Sequence, residues 1–161
     1  MKKSALAALL TALIATPVEA GDMYAGVKIG KSRHSITGVT NSPVALGLYG
    51  GYKVNPEFGV EAEYMDLGSF GGVKATAADV SALFFYPGDD PFSLYAKISY
   101  ASTAWKIPGQ AQYNSSFTHG FGLRYNTSPS TGFRFSWDRY MLGNQVVFNA
   151  DVVSVAGIYR F

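Results

Sequence analysis

Residues 117–125 of this 161-residue chain read FTHGFGLRY, and their side chains alternate strictly between two kinds. The odd positions are large and mostly apolar: Phe117, His119, Phe121, Leu123 and Tyr125. The even positions are small or charged: Thr118, Gly120, Gly122 and Arg124. Because successive side chains of a β-strand point to opposite faces, this period of two predicts a strand with one apolar face and one small or charged face.

Seven further stretches show the same alternation, so the sequence predicts eight strands. They lie within residues 23–30, 46–53, 60–64, 79–86, 94–100, 133–138 and 153–161. Beyond residue 21 no apolar run reaches the roughly 18 residues of a helical membrane span. No apolar repeat persists at helical spacing either. The pattern therefore indicates an all-β fold.

Alternation alone also fits a soluble β-sandwich or a lipocalin-like barrel, in which the apolar face is the inner one. The residues of the second face weigh against both. Glycine, serine and isolated charges suit the crowded lumen of a narrow barrel better than a solvated surface. Membrane barrels place lipid outside and polar packing inside. We therefore predict an eight-stranded antiparallel up-and-down transmembrane β-barrel.

The composition excludes several classes of function. Without cysteine, the chain cannot form a disulfide scaffold, a thiolate metal site or a cysteine nucleophile. The formal net charge is only +2 and the basic residues form no run, so no nucleic-acid partner is expected. The 11 tyrosines and 11 phenylalanines exceed the usual need of a soluble core. A lipid-facing surface accounts for them.

The first twenty residues have the features of a secretory signal peptide. Lys2 and Lys3 form a basic start, residues 5–15 are apolar, and residues 18–20 read VEA, a cleavage pattern. The apolar run is shorter than the roughly 20 residues of a spanning helix. We predict a signal peptide at residues 1–20, cleaved after Ala20, and a barrel at residues 21–161, exported by the Sec pathway to the bacterial outer membrane.

The breaks between strands predict which rim of the barrel faces outward. Those at residues 55–56, 88–91 and 126–129 are short, whereas the connections at 31–44, 68–78, 103–116 and 142–149 are longer. Outer-membrane barrels have short periplasmic turns and longer external loops. Beside the short breaks lies a predicted lower aromatic girdle: Tyr52, Phe58, Tyr86, Phe92, Tyr125, Phe133, Tyr159 and Phe161. The predicted upper girdle is Tyr64, Tyr100, Phe117 and Trp137.

The chain resembles the eight-stranded transmembrane domain of the outer-membrane protein A family. The resemblance lies in YAGVKIG at residues 24–30, YGGYKVNP at 49–56, GVE at 59–61 and AGIYRF at 156–161. The last of these implies a terminal aromatic signal for the barrel-assembly machinery, with Tyr159 and Phe161 as its residues. Larger family members add a periplasmic peptidoglycan-binding domain. This chain stops at Phe161, so that activity is not implied.

The resemblance also implies ion pairs inside the barrel. It places Glu61 opposite Arg134 as the central pair, and Lys28 and Lys97 match interior basic positions. Two positions depart from the family pattern, because Arg124 stands at an acidic position and Leu83 at an interior lysine, next to an inward Phe85. We expect Glu63 and Asp138 to pair with Arg124. A narrow lumen with such paired charges is predicted to be plugged and not an open pore.

Three functions remain open after the sequence is read. The favoured one is a structural barrel whose external loops contact lipopolysaccharide, host surfaces or other cells. The alternatives are a narrow low-conductance pore and an enzyme acting on lipid A. The expected partners are outer-membrane lipid, lipopolysaccharide, the barrel-assembly machinery, and host or cell-surface ligands. Four scattered basic residues of the predicted loops could touch lipopolysaccharide phosphates, but solvated loop charges are the favoured interpretation: Lys31, Arg33, Lys74 and Lys106.

The histidines give little support to an enzyme. His119 has no spaced serine partner, so we expect a polar residue at the membrane interface. His34 is expected to be a solvated loop residue. Two histidines at this spacing do not predict a zinc site. We therefore predict no catalytic residue, no metal and no cofactor.

Overall fold

The computed structural model describes residues 23–36, 39–70, 72–86, 91–107, 110–141 and 149–161. The predicted signal peptide, residues 1–20, lies outside the described residues. Nine strands occur within these ranges: β1 (Met23–Ile36), β2 (Val39–Asn41), β3 (Val44–Asn55), β4 (Phe58–Phe70), β5 (Val73–Tyr86), β6 (Phe92–Ile107), β7 (Gln110–Asn126), β8 (Thr131–Met141) and β9 (Asn149–Arg160). In the same ranges there is no helix long and apolar enough to cross a membrane.

Eight of these strands close into a barrel. They pair antiparallel in the order β1-β3-β4-β5-β6-β7-β8-β9, and β9 pairs back onto β1 from Tyr24↔Arg160 to Ser35↔Asn149. The three-residue β2 pairs with the end of β1 and lengthens that hairpin. The predicted eight-stranded antiparallel barrel is confirmed.

The barrel wall is apolar outside and charged inside, the reverse of a soluble protein. Val27, Tyr86 and Phe117 expose 70%, 78% and 70% of their surface, whereas Lys28 and Arg134 expose only 3% and 2%. Large apolar side chains tolerate such exposure when lipid surrounds them. The fold therefore requires a membrane around it.

The lower rim is the end of the barrel at which Met23 and Phe161 lie. The Phe161 amide donates a hydrogen bond to the Met23 carbonyl at 3.0 Å, which joins the two ends of the wall. The turn between β3 and β4 is also at this rim. There the Asn55 side-chain oxygen accepts hydrogen bonds from the amides of Glu57 and Phe58, at 3.0 and 2.8 Å, a local contact typical of Asn-initiated turns.

The long loops predicted for the opposite, upper rim are wrong in extent. Much of the sequence assigned to them continues the strands: residues 31–36, 68–70, 73–78, 103–107 and 110–116. Backbone pairing continues above the membrane because it needs no apolar face. The apolar alternation behind the prediction ends where the lipid ends. Residues 142–148, most of the fourth predicted loop, lie outside the described residues.

The outer apolar band ends well below the upper rim. On β6 the outward side chains are apolar from Phe92 to Tyr100, and those above are polar or small up to Lys106. On β7, which runs downward from Gln110 at the upper rim, the band begins only at Phe117, seven residues below the start of the strand. At the lower rim the band reaches the turns. The hairpins therefore project beyond the membrane on one side only.

Candidate functional site

The lumen is filled by side chains in three layers between the two rims. The lower layer holds arginines among aromatic rings, the middle layer is a network of lysines and carboxylates, and the upper layer is mainly apolar. Four basic and four acidic side chains are buried in the two charged layers: Lys28, Lys97, Arg124, Arg134, Glu61, Glu63, Asp79 and Asp138. The formal charges of this set therefore cancel.

Arg134 lies at the centre of the lower layer. Its Nη1 donates to Glu61 Oε2 at 2.8 Å, and the Tyr24 hydroxyl donates to the same oxygen at 3.1 Å. The guanidinium also lies over the rings of Tyr49 and Tyr95, at 4.7 and 5.0 Å from their centroids. The carboxylate and the aromatic faces together offset the desolvation of the charge. The structure thus brings together the pair that the family resemblance implied.

Two glycines make room for the tyrosines around Arg134. In the register of β1 with β3, Gly26 is opposite Tyr49 and Gly51 is opposite Tyr24. A Cβ built on either glycine would overlap the ring of the tyrosine opposite. Each ring therefore lies flat against backbone, and the lumen accommodates bulky side chains without widening the barrel.

The partners predicted for Arg124 are wrong. Its guanidinium lies 4.3 Å from the centroid of the Phe85 ring, and its Nη2 donates to the Ser93 hydroxyl at 3.3 Å. Glu63 and Asp138 lie instead in the middle layer, where lysines bind them. The reason is axial position, since Arg124 is near the lower rim and one layer below both carboxylates.

The middle layer is centred on Glu63. Lys28 Nζ lies 2.7 Å from Glu63 Oε1 and 3.2 Å from Asp138 Oδ2. Lys97 Nζ lies 2.7 Å from Glu63 Oε2 and 3.2 Å from Asp79 Oδ1. Each lysine thus joins two carboxylates, and Glu63 joins the two lysines. Buried charges are stable in this form because each is paired and hydrogen-bonded.

Asp79 is a member of the network that was not predicted. It accepts a hydrogen bond from the Ser81 hydroxyl at 2.6 Å, and Ser81 lies 3.0 Å from Ser99 on the next strand. The available signal was its position on the small-residue face of β5, two residues before Ser81.

Four tyrosines in the lumen were also missed by the sequence analysis, for a different reason: Tyr24, Tyr49, Tyr95 and Tyr140. Tyrosine also fits the lipid interface, so only the strand register assigns it to the lumen.

The upper layer is an apolar cluster. Its larger members are Met65, Leu67, Val152 and Tyr140, each 0–1% exposed, with Trp105 packed against them. Several alanines fill the remaining space. The Tyr140 hydroxyl lies 3.4 Å from both Glu63 and Asp79, so this residue joins the upper layer to the middle one.

The prediction of a solvated His34 is wrong. The side chain is 1% exposed and faces the lumen from β1. Its Nε2 lies 3.0 Å from the Ser32 hydroxyl and 3.2 Å from the Leu67 carbonyl oxygen. The error follows from the loop prediction, because a residue treated as loop has no assigned face. His119 lies on the outer surface, 5.8 Å from the Trp137 ring.

The predicted girdle residues lie on the outer wall. Of the lower girdle, Tyr86, Phe92, Phe133, Tyr159 and Phe161 are exposed, Tyr125 is 36% exposed, and Tyr52 is half-buried. Neighbouring strands bring some rings into contact, for example Phe92 with Tyr125 at 4.4 Å between centroids. In the described part of the chain, no group of three or more metal-ligating side chains could hold an ion.

The chain is similar to known outer-membrane proteins. Residues 4–161 match the profile of the outer membrane protein beta-barrel domain. Outer membrane protein A of Shigella flexneri is 30% identical over 168 residues, covering 85% of this chain and 48% of the relative. The Salmonella typhi protein of that name is 28% identical, covering 100% of this chain and 56% of the relative. The chain therefore spans about half the length of these relatives.

Solved structures share the fold at low sequence identity. Neisserial surface protein A superimposes with a TM-score of 0.71 at 15% identity, covering 88% of this chain and 98% of that protein. Ail, the attachment invasion locus protein of Yersinia pestis, gives a TM-score of 0.61 at 20% identity, covering 89% of this chain and 100% of that protein. The closed wall, the charged lumen and the matched profile lead to one conclusion. The chain belongs to the outer membrane protein beta-barrel domain family and is a protein of the bacterial outer membrane.

Proposed function

We propose that this chain is a closed structural barrel that strengthens the outer membrane and uses its upper rim to contact other surfaces. One observation carries the proposal: the lumen is closed by two different constrictions in series, the middle charged layer and the upper apolar layer. An ion could pass only if both layers opened. A structural barrel requires no such opening.

Conduction through the middle layer would require the ion pairs to separate. Lys28 and Lys97 each bridge two carboxylates at 2.7–3.2 Å, so moving one lysine breaks two contacts. Even then a hydrated ion would meet the packed apolar side chains of Met65 and Leu67 above, where the polar side chains Ser32 and His34 already bind each other. The arrangement therefore favours a plug over a low-conductance pore.

An enzyme acting on lipid A is the less favoured alternative. His34 faces the lumen and His119 faces the membrane side of the wall. The two histidines therefore do not belong to one site. His119 packs on an indole ring, a contact typical of an interfacial side chain.

The upper rim supports the surface-contact part of the proposal. There β6 and β7 run past the apolar band, and binding residues commonly lie on such projecting segments over a rigid scaffold. Ail, a structural relative, has been solved in complex with the heparin analogue sucrose octasulfate. We extend to this chain only the expectation that its projecting rim meets an external ligand.

Planar-bilayer recording separates the scaffold from the pore. Purified, folded protein is added to the bilayer, and we expect no reproducible current steps. Reproducible steps from the unmodified chain would reject the closed barrel.

In parallel, a deletion strain is scored for outer-membrane permeability, adhesion and serum resistance. We expect a defect in permeability together with one of the two surface assays, and no change in any of them would reject both parts of the proposal.

Delivery to the membrane completes the proposed function. We propose Sec export with removal of residues 1–20 and insertion by the barrel-assembly machinery through Tyr159 and Phe161. Both rings lie on the outer wall at the lower rim, 5.2 Å apart. They are therefore accessible to a protein that receives the barrel from that side.

A further inference from the structure

A row of charged and polar side chains lies on the outer wall just above the apolar band. Four neighbouring strands contribute one residue each, since Arg33 is opposite Asp151, Asp151 is opposite Arg139, and Arg139 is opposite His119. Lys31 stands two residues below Arg33 on the same face of β1. This outer row is distinct from the lumen network, because the side chains of the row point outward from the barrel wall.

Arg139 is held in a fixed orientation within this row. Its Nε and Nη2 donate to the two Asp151 carboxylate oxygens at 2.7 and 3.0 Å. Its guanidinium lies 5.1 Å from the centroid of the Trp137 ring. Asp151 thus occupies one edge of the fork and Trp137 one face, which leaves the remaining edge directed to the surroundings. A pre-oriented guanidinium is well suited to bind a phosphate oxygen.

The row contains two cationic centres. One is Arg139 on β8 and the other is the pair Lys31 and Arg33 on β1, with β9 between them. Adjacent strands lie about 4.8 Å apart, so the backbone positions of Arg33 and Arg139, two strands apart, are separated by about 10 Å. Asp151 neutralises one of three positive charges, and the row keeps a net positive charge. Two cationic centres side by side suit a headgroup that carries two phosphates.

A shallow apolar groove begins directly below the row. Its volume is about 610 Å³, and it runs down the outer wall between β7 and β1. Lys31, Val153 and Trp137 form its upper end together with Phe121, which is directly opposite Trp137. Phe135 and Val155 line it further down. On their strands, Trp137 and Val153 are two residues below Arg139 and Asp151. A molecule whose phosphates bind the row would therefore place its hydrocarbon in the groove.

We propose that the outer row and this groove form a binding site for a lipid with two phosphates and several acyl chains, such as the lipid A part of lipopolysaccharide. The phosphates would bind Arg139 and the pair Lys31 and Arg33, and an acyl chain would occupy the groove. The inference rests on the proposed function only in placing the upper rim in the outer leaflet.

The opposite side of the barrel offers a matched control. Lys74 on β5 and Lys106 on β6 are direct cross-strand partners, both exposed and both above the apolar band. Lys74 is already paired with Asp66 at 2.9 Å. Lys74 and Lys106 together carry two positive charges, as Lys31 and Arg33 do. They have no pre-oriented arginine such as Arg139 beside them.

The test uses the folded full-length barrel in detergent micelles and native mass spectrometry. Diphosphoryl lipid A, monophosphoryl lipid A and phosphatidylglycerol are titrated separately onto the unmodified protein. The same titrations follow for the double variant K31Q/R33Q, the single variant Arg139→Gln and the control double variant K74Q/K106Q. Heat-dependent gel mobility shows that each variant is folded.

We expect diphosphoryl lipid A to bind the unmodified protein more tightly than either other lipid. Each cation removed from the outer row should weaken that binding about fivefold, and the control variant should change it less than twofold. Equal binding of the three lipids, or an equal loss in the control, would overturn the proposal. This binding assay does not depend on orientation in cells, so its failure is distinguishable from failure of the scaffold function.

Discussion

At the scale of single residues, the lumen is organised around charges that cannot leave it. Arg134 is 2% exposed and depends on Glu61 and a group of tyrosine rings. A buried ion pair is a weak source of stability in itself, but removal of one partner leaves the other charge desolvated and alone. The consequence is an asymmetry, in which loss of the carboxylate is more harmful than loss of the whole pair.

We predict that Glu61→Ala lowers the free energy of unfolding by about 3–5 kcal/mol, because Arg134 loses its carboxylate. The urea midpoint of the barrel in lipid vesicles measures the change. Glu57→Ala is the matched control, since Glu57 is an exposed carboxylate in the turn before β4. An unchanged midpoint for Glu61→Ala would contradict the role assigned to this pair.

The glycines opposite the tyrosines give a second prediction at this scale. Gly51→Ala should lower the free energy of unfolding by about 1–3 kcal/mol, because the new methyl group overlaps the Tyr24 ring. Gly50→Ala, at the adjacent position, directs its methyl group outward and should change stability little. The two urea midpoints are compared in the same vesicles. Equal midpoints would show that the Tyr24 ring can move aside.

At the scale of elements, the sequence predicts strand number and facing better than strand length. Residues 117–125 reveal both faces of β7, because lipid on one side and lumen on the other impose different residues on alternate positions. Above Phe117 water surrounds the strand, and residues 110–116 show no apolar alternation. The loss of alternation above the membrane also explains the wrong prediction for His34. Its part of β1 was predicted to be a loop, so its side chain was not assigned to either face.

Lumen partners were predictable only where the family resemblance supplied them. The pair of Glu61 and Arg134 was expected on that basis, whereas Arg124 was given carboxylates that lie a layer above it. Pairing across a barrel depends on strand register and stagger, and both are absent from the pattern of a single strand. Local alternation therefore identifies lumen residues but does not identify their partners.

The projecting hairpins predict how the barrel is oriented in cells. The chain has no cysteine, so single-cysteine variants report one position each. We expect Gln112→Cys, on the exposed upper part of β7, to react in intact cells with a membrane-impermeant maleimide. Glu57→Cys at the lower rim should react only after lysis. The reverse pattern would mean that the upper rim faces the periplasm.

The residues at the end of β9 allow a test of the proposed assembly signal. Phe161→Ala should reduce the amount of folded barrel in cells. For protein refolded into vesicles, the free energy of unfolding measured with urea should change by less than about 1 kcal/mol, because the side chain is exposed. Phe133→Ala, an exposed girdle residue away from the chain end, is the control. If both variants fall to the same cellular level, the effect belongs to the girdle and not to a signal.

At the scale of the whole molecule, the two constrictions act in series, so closure does not depend on either one alone. Loss of the charged layer leaves the upper layer, which opposes ions because its side chains are mainly apolar and closely packed. Loss of the apolar layer leaves the lysine and carboxylate network. A conducting state would require changes in both layers at once.

We therefore predict that neither Glu63→Gln nor the double variant M65A/L67A produces current in planar bilayers. The combined triple variant, if it folds, should show small current steps. Heat-dependent gel mobility identifies folded protein in each case. Current from Glu63→Gln alone would mean that the upper layer does not block ions.

The wall continues without interruption from β9 to β1. β9 pairs with β1 over twelve residues, from Tyr24↔Arg160 to Ser35↔Asn149, and the Phe161 amide binds the Met23 carbonyl. The barrel thus has no structural first strand. A circular permutant that joins Phe161 to Met23 by a short linker and begins at β7 should close the same wall in vesicles, because every strand retains both neighbours.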